Sequence, residues 1–283
     1  MRTLVIGCGS IGARRARLLA EMGHEVTIYD PDLSAAERLK GTALAWSQWE
    51  WRPLGDGHRY VATFVCTPAA SHVALAREIV EDGCRGLFIE KPLGTSMDGI
   101  SELVAECERR GVVTMGACNM RWAYGGHPTD RPHVERLFLE TSGPLSGWRA
   151  GAAETYRANG IIMESAIHDL DLVSAWLGPV ASLDAYGDDD WCRLDVTHES
   201  GATSAILNDW REDAPRVREL GYFLRGSRFC HLPTLTDEMY RKEMAQFLRA
   251  VAGEEPPVNP LSQAAETLSW ALKARDMCRA AAA

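Results

Sequence analysis

The 283-residue chain has no run approaching the roughly 20 consecutive apolar residues that a membrane span needs. It also lacks any CxxC pair: its eight cysteines are scattered at 8, 66, 84, 107, 118, 192, 230 and 278. Thiols spaced this way in a sizeable chain point to a reducing, cytoplasmic setting, and not to a disulfide frame or a zinc site. Positive charge is in deficit, with 30 Lys and Arg against 39 Asp and Glu, a net −9. That balance argues against nucleic acid or anionic membrane as partners, because both require clustered cations. The apolar part of Met1 to Gly7 is too short for a secretory h-region, and no G-x-S-x-G elbow or Walker lysine occurs. What remains, 46% hydrophobic and 24% charged residues, is ordinary globular composition.

Over the first 120 residues, short apolar runs alternate with helix-period stretches. Strands are expected at Thr3 to Ile6, Glu25 to Tyr29, Val61 to Cys66, Leu87 to Ile89 and Val112 to Ala117. Helices are expected at about Ile11 to Met22, Asp32 to Lys40, Ser71 to Asp82 and Ser96 to Arg110. That order makes an α/β domain, a Rossmann-type doubly wound parallel sheet, over residues 1–120. A Gly/Pro-rich stretch at 122–134 marks the transition. Beyond it, apolar runs at Arg136 to Leu139, Ala202 to Leu207 and Gly221 to Leu224 do not alternate strand by strand with helices. A second α+β domain with a largely antiparallel sheet is therefore expected over 121–283. Its helices are placed at Ile162 to Leu177, Thr236 to Ala252 and Leu261 to Arg279, the last two separated at Val258-Asn259-Pro260.

Gly7-Cys8-Gly9-Ser10-Ile11-Gly12 fits G-x-G-x-x-G, after a strand and at the opening of a helix. Gly7 serves a tight turn, Gly9 lets a pyrophosphate approach the backbone, and Gly12 allows close helix–strand packing. Asp30 ends the second strand, 18 residues after Gly12. A carboxylate there accepts hydrogen bonds from ribose hydroxyls and repels a 2′-phosphate, so NAD(H) is favoured over NADP(H). Glu90-Lys91-Pro92 follows the strand ending at Ile89, and Thr67-Pro68 lies one strand earlier. Both fall at the carboxyl edge of the sheet, where open α/β sheets bind ligands. A lysine at that edge can stabilise negative charge developing on a substrate oxygen.

Taken together, Gly7 to Gly12, Cys66-Thr67-Pro68, Glu90-Lys91-Pro92 and Asn119-Met120-Arg121 resemble the Gfo/Idh/MocA family of glucose–fructose oxidoreductase, inositol dehydrogenase and rhizopine catabolism. Glu164-x-x-x-His168-Asp169-x-Asp171 and the closing Asp237 to Phe247 segment extend the resemblance over nearly the whole chain. The resemblance implies hydride transfer between nicotinamide and a carbon bearing a hydroxyl or carbonyl, without a metal. It also implies a cis Lys91–Pro92 bond, contact of Lys91 with the reacting oxygen, and pairing into a homodimer or homotetramer. Two features depart from the family pattern: Glu164 stands where an Asp is usual, and the stretch from Arg121 to Gly160 is compressed.

On a regular helix advancing about 100° per residue, Glu164, His168 and Asp171 fall within roughly 60° of one another. The opposite side carries Ile162, Ala166, Leu170, Val173 and Leu177. Glu164 is expected to orient the imidazole and Asp171 to hold it from the other side, leaving His168 to exchange a proton with the substrate. Asn119, Arg121, Tyr156 and Asp171 are the substrate-binding candidates, the arginine suited to a hydroxyl, carboxylate or phosphate. The resulting expectation is a dehydrogenase or reductase of a sugar, nucleotide sugar or cyclitol, with Lys91 and His168 converging over one nicotinamide ring. A reductase of an imine or unsaturated ring, needing less from His168, and a non-catalytic NAD-binding regulator are the alternatives.

Overall fold

The computed structural model describes residues 1–32, 39, 45–46, 60–124, 134–145, 158–224 and 227–282. The chain divides into two compact units, Met1–Ala117 with Thr236–Ala265, and Cys118–Leu235 with Glu266–Ala283.

The first unit contains β1 (Arg2–Ile6), α1 (Ser10–Glu21), β2 (Glu25–Tyr29), β3 (Ala45–Trp46), β4 (Ala62–Val65), α2 (His72–Glu81), β5 (Gly86–Ile89), α3 (Ile100–Arg110) and β6 (Val113–Gly116), the expected order with the short strand β3 added, while most of the expected helix Asp32 to Lys40 lies outside the described residues. Its strands lie parallel in the order β3-β2-β1-β4-β5-β6. Every residue of β4 and β5 is buried, as strands covered on both faces require. Chain order reverses between β1 and β4, and at such a switch point the loops leaving the strands' carboxyl ends open a crevice. Helix α3 starts four residues later than expected, at Ile100, because Gly99 before it takes a left-handed φ of 71°.

The expected boundary, 1–120 against 121–283, differs from the observed division in one respect: residues 236–265 group with the N-terminal sheet. Helix α5 (Asp237–Val251), which follows α4 (Ile167–Leu177) of the second unit, supplies the reason, since its Phe247 ring packs edge-on against Phe64 of β4 and Phe88 of β5 at 5.5 Å each. A Cβ on Gly86 would lie 2.5 Å from Val251 Cγ2, so only glycine lets this helix come so close. The break before α6 (Leu261–Ala282) covers the sheet's edge: Gly116 donates to the Asn259 carbonyl at 2.9 Å, and Asn259 Nδ2 donates back to the Gly116 carbonyl at 3.1 Å.

The second unit contains β7 (Val134–Ser142), α4 (Ile167–Leu177), β8 (Val180–Gly187), β9 (Trp191–His198), β10 (Thr203–Asp209), β11 (Val217–Leu224) and β12 (Ser227–His231). The sheet order is β12-β11-β7-β10-β9-β8, antiparallel except where β7 meets β10. Helix α4 lies against β7 and β10. Leu220, Leu139, Ile206 and Leu194 are matched across four neighbouring strands and all buried, which forms the apolar row beneath the helix. No helix among the described residues is long and apolar enough to cross a membrane.

Candidate active site

In the first unit, the turns leaving β1, β2, β4 and β5 all emerge at the carboxyl end of one parallel sheet. Gly7 has a φ of 87°, and a Cβ there would lie 2.8 Å from the Cys66 carbonyl and 2.9 Å from the Thr67 nitrogen. A Cβ on Gly12 would fall 1.8 Å from the Gly7 carbonyl oxygen, which no side chain tolerates. Gly9 instead opens onto empty space at the N-terminus of α1, with no side chain capping that end. Backbone donors of a first turn, facing open space with the positive end of the helix dipole behind them, suit a phosphate. The cradle therefore fits a dinucleotide.

Asp30 is half-buried and already engaged: one carboxylate oxygen accepts from the Cys8 backbone N–H, and the other accepts from Asp32 N–H at 2.8 Å. The carboxylate so pins the glycine turn to the end of β2. Its two oxygens offer about four acceptor positions, so capacity for hydroxyl donors remains.

Glu90 is held by a group the sequence reading did not place there. Arg15 of α1, fully buried, binds Glu90 through Nε and Glu243 of α5 through Nη1 at 2.8 Å, with its guanidinium 4.4 Å from the Phe88 ring centre. Burial opposes the arginine's charge, but Glu243 and Glu90 outweigh it and hold its pKa above the usual value. Burial, with Glu90's charge adding to it, pushes the neighbouring Cys66 thiol up, so it is no thiolate nucleophile. The missed signal was in the helical pattern: Gly12, Arg15, Ala16 and Leu19 share the buried face of α1, and a charge on such a face needs a partner. Lys91 is half-buried, and its bond to Pro92 is cis, as expected.

In the second unit, Asn119 and Arg121 lie in a short 3₁₀ turn, Asn119–Trp122, that follows β6. Arg121 grips Asp171 with two bonds, Nε to Oδ2 at 2.9 Å and Nη2 to Oδ1 at 2.7 Å, both side chains buried. Each oxygen of Asp171 so carries one guanidinium bond. Ahead of the regular helix, Ile162–Ala166 is π-helical, with i→i+5 bonding, so Glu164 and His168, four apart across it, are not one full turn apart. Gly160, at φ 76°, lies two residues before this turn, and Ile161 N–H donates to the Asp189 carbonyl at 3.0 Å, fixing the segment to the β8–β9 connection. Glu164 accepts from Asn159 Nδ2 at 2.6 Å. Glu164 and His168 are both half-buried.

Asp169 is 1% exposed, and burial pushes its carboxyl up to about 6, against the opposing pulls of Asn208 and Arg218. Asn208 Nδ2 donates to Asp169 at 2.9 Å, and Asn208 Oδ1 accepts from the Ser165 hydroxyl. Nothing in the spacing of 164, 168 and 171 revealed this buried acid, because its partner lies on a strand 39 residues away. Tyr156, with Arg157, Trp49 and Trp51, lies outside the described residues. Among the described residues no group of three or more His, Cys, Asp or Glu is arranged to hold a metal ion.

A parallel sheet with a glycine turn, an acidic second-strand end and a helix N-terminus open to a phosphate defines the first unit as a dinucleotide-binding Rossmann domain. Residues 1–117 match the Gfo/Idh/MocA model, described as an oxidoreductase family with an NAD-binding Rossmann fold. No curated protein matches the chain in sequence. Solved structures match it over nearly its full length. UDP-N-acetylglucosamine 3-dehydrogenase from Acidithiobacillus ferrooxidans is 20% identical with a TM-score of 0.81, covering 99% of this chain and 98% of that one. A myo-inositol dehydrogenase from Corynebacterium glutamicum is 17% identical with a TM-score of 0.81, covering 99% and 97%. The WlbA dehydrogenase from Chromobacterium violaceum, solved with NADH and UDP-GlcNAcA, is 17% identical with a TM-score of 0.77, covering 99% and 94%. At these identities the likeness establishes the fold shared by sugar, cyclitol and nucleotide-sugar dehydrogenases.

Proposed function

We propose that the chain is an NAD(H)-dependent oxidoreductase acting on a secondary alcohol or ketone of a sugar, nucleotide sugar or cyclitol. The observation that carries this reading is the array at one sheet edge: the Gly7–Gly12 turn, Asp30, Thr67-Pro68 and Glu90-Lys91 follow the adjacent strands β1, β2, β4 and β5. Bound there, NAD supplies the hydride acceptor and, when reduced, the hydride donor.

The chain's own residues divide the remaining work. Gly7, Gly9, Ser10, Ile11 and Gly12 present backbone to the pyrophosphate, while Thr67, Pro68 and Glu90 wall the pocket. Asp30 accepts from the ribose hydroxyls and disfavours a 2′-phosphate, hence NAD(H) over NADP(H). Lys91 donates to the reacting oxygen and His168 exchanges the proton of that oxygen, with Glu164 setting the imidazole. Asn119, Arg121 and Tyr156 address the substrate, and Asp171 serves by holding the guanidinium of Arg121 in place. The same reading has the chain working as a cytoplasmic homodimer or homotetramer, a setting in keeping with its eight free cysteines.

UDP-N-acetylglucosamine, UDP-N-acetylglucosaminuronate and myo-inositol are the first substrates to test. Lys91→Ala and His168→Ala should each lower turnover by about 10²–10⁴-fold while leaving NADH affinity unchanged. The double variant should cost little more than either single one, because two groups acting on one oxygen fail together. Near-native turnover in both single variants overturns the assignment. Loss in Lys91→Ala alone shifts it to a reductase of an imine or unsaturated ring.

A further inference from the structure

One buried titratable side chain has no part in the reaction proposed above. His72, the first residue of α2, is 1% exposed. Its Nε2 lies 2.7 Å from the Thr67 carbonyl oxygen and its Nδ1 lies 3.0 Å from the Pro92 carbonyl oxygen. These carbonyls belong to the turns that leave β4 and β5, neighbours in the sheet. The ladder joining the two strands reaches Glu90, whose N–H donates to the Val65 carbonyl at 2.9 Å. Past that point the turns separate, and the imidazole spans them.

Each end of this span touches part of the array at the sheet edge. Thr67 lies against the glycine turn, since a Cβ on Gly7 would come within 2.9 Å of the Thr67 nitrogen. Ser71, beside His72, secures the same turn, its hydroxyl 2.8 Å from both Thr67 Oγ1 and the Pro68 carbonyl oxygen. At the other end, Pro92 follows Lys91 directly. A shift of the imidazole would therefore move the wall of the glycine turn on one side and the backbone carrying Lys91 on the other.

We propose that His72 is a positioning residue: its imidazole, lodged between two backbone carbonyls and donating its one ring proton from Nε2 to the Thr67 carbonyl, keeps the Thr67 turn and the Lys91–Pro92 turn at the spacing that dinucleotide binding requires. The proposal rests on the cofactor-binding reading above. It carries its own internal test, because each ring nitrogen has an amide mimic. The amide nitrogen of glutamine falls near the place of Nε2 and retains the Thr67 link, whereas that of asparagine falls near Nδ1 and reaches only the Pro92 carbonyl. Since Thr67 is the turn that abuts Gly7, glutamine should rescue cofactor affinity and asparagine should not.

The test is a fluorescence titration with NADH of wild type, His72→Ala, His72→Gln and His72→Asn, well below each variant's melting temperature. His72→Ala should weaken NADH about tenfold, the worth of one buried hydrogen bond, and His72→Gln should recover to within about threefold of wild type. His72→Asn should bind as weakly as His72→Ala; should the alanine variant not fold, the glutamine-to-asparagine difference carries the test. Equal NADH affinity in all four proteins, whatever their melting temperatures, means that His72 only fills space and overturns the proposal, as does asparagine rescuing as well as glutamine. A wild type that binds no NADH overturns the cofactor reading itself, and the proposal with it.

Discussion

The two units place their chemistry by different means. In the first, the backbone does it: Gly7, Asp30, Thr67 and Glu90 stand where parallel strands end, and a glycine turn with a 1.8 Å clearance at Gly12 admits no other residue. In the second, side chains do it: Arg121 and Asp171 hold each other, Asn208 joins Asp169 to Ser165, and a π turn offsets Glu164 from the regular helix that follows. Backbone placement tolerates little variation in sequence and so leaves a recognisable pattern. Side-chain placement depends on partners distant in the chain and leaves almost none.

The contrast predicts how each unit breaks. Gly12→Ala should abolish measurable NADH binding, because its methyl group cannot coexist with the Gly7 carbonyl at 1.8 Å; a titration that still saturates would show the backbone to be more pliant than this. Arg121→Ala leaves the buried Asp171 carboxylate without its guanidinium and should cost about 3–5 kcal/mol of unfolding free energy. Chemical denaturation reads that loss, and a cost below about 1 kcal/mol would mean that water reaches Asp171.

Asp169 gives a smaller effect with a definite sign. Its carboxyl is raised from 3.8 to about 6 by burial, so the folded state holds the proton more tightly than the unfolded chain. Its contribution to stability is therefore full below about pH 4 and lost as pH rises through about 6. At 1.36 kcal/mol per pH unit this is at most about 3 kcal/mol. Asp169→Asn cannot ionise, so its stability relative to wild type should rise between pH 4 and 7. A difference that stays flat across that window would show that Asp169 ionises freely in the folded protein.

Much of the first unit was legible in the sequence. The apolar runs of β1, β2, β4, β5 and β6 appear within a residue or two of their expected ends, because a strand buried on both faces must be apolar throughout. The place of α5 was less legible: a 3.6-residue period shows that Phe247 faces a core, not which core it faces. The edge strand β12 was missed because four of its five residues are exposed and carry no alternation. At the candidate site, the glycines and Asp30 were readable from spacing alone. Arg15 was visible only as a charge on a buried helix face, and its two carboxylate partners lie 75 and 228 positions away. The π turn left no trace, since Glu164, His168 and Asp171 fit a regular helix equally well.

The central claim, that the edge formed by the glycine turn, Asp30, Thr67 and Glu90 holds NAD(H), is tested most directly by titrating the wild-type protein with NADH and NADPH in parallel. The account predicts saturable binding of NADH at least about tenfold tighter than NADPH, a gap of about 1.4 kcal/mol set by Asp30. NADPH binding as tightly or more tightly would contradict the role given to Asp30, and binding of neither would contradict the site.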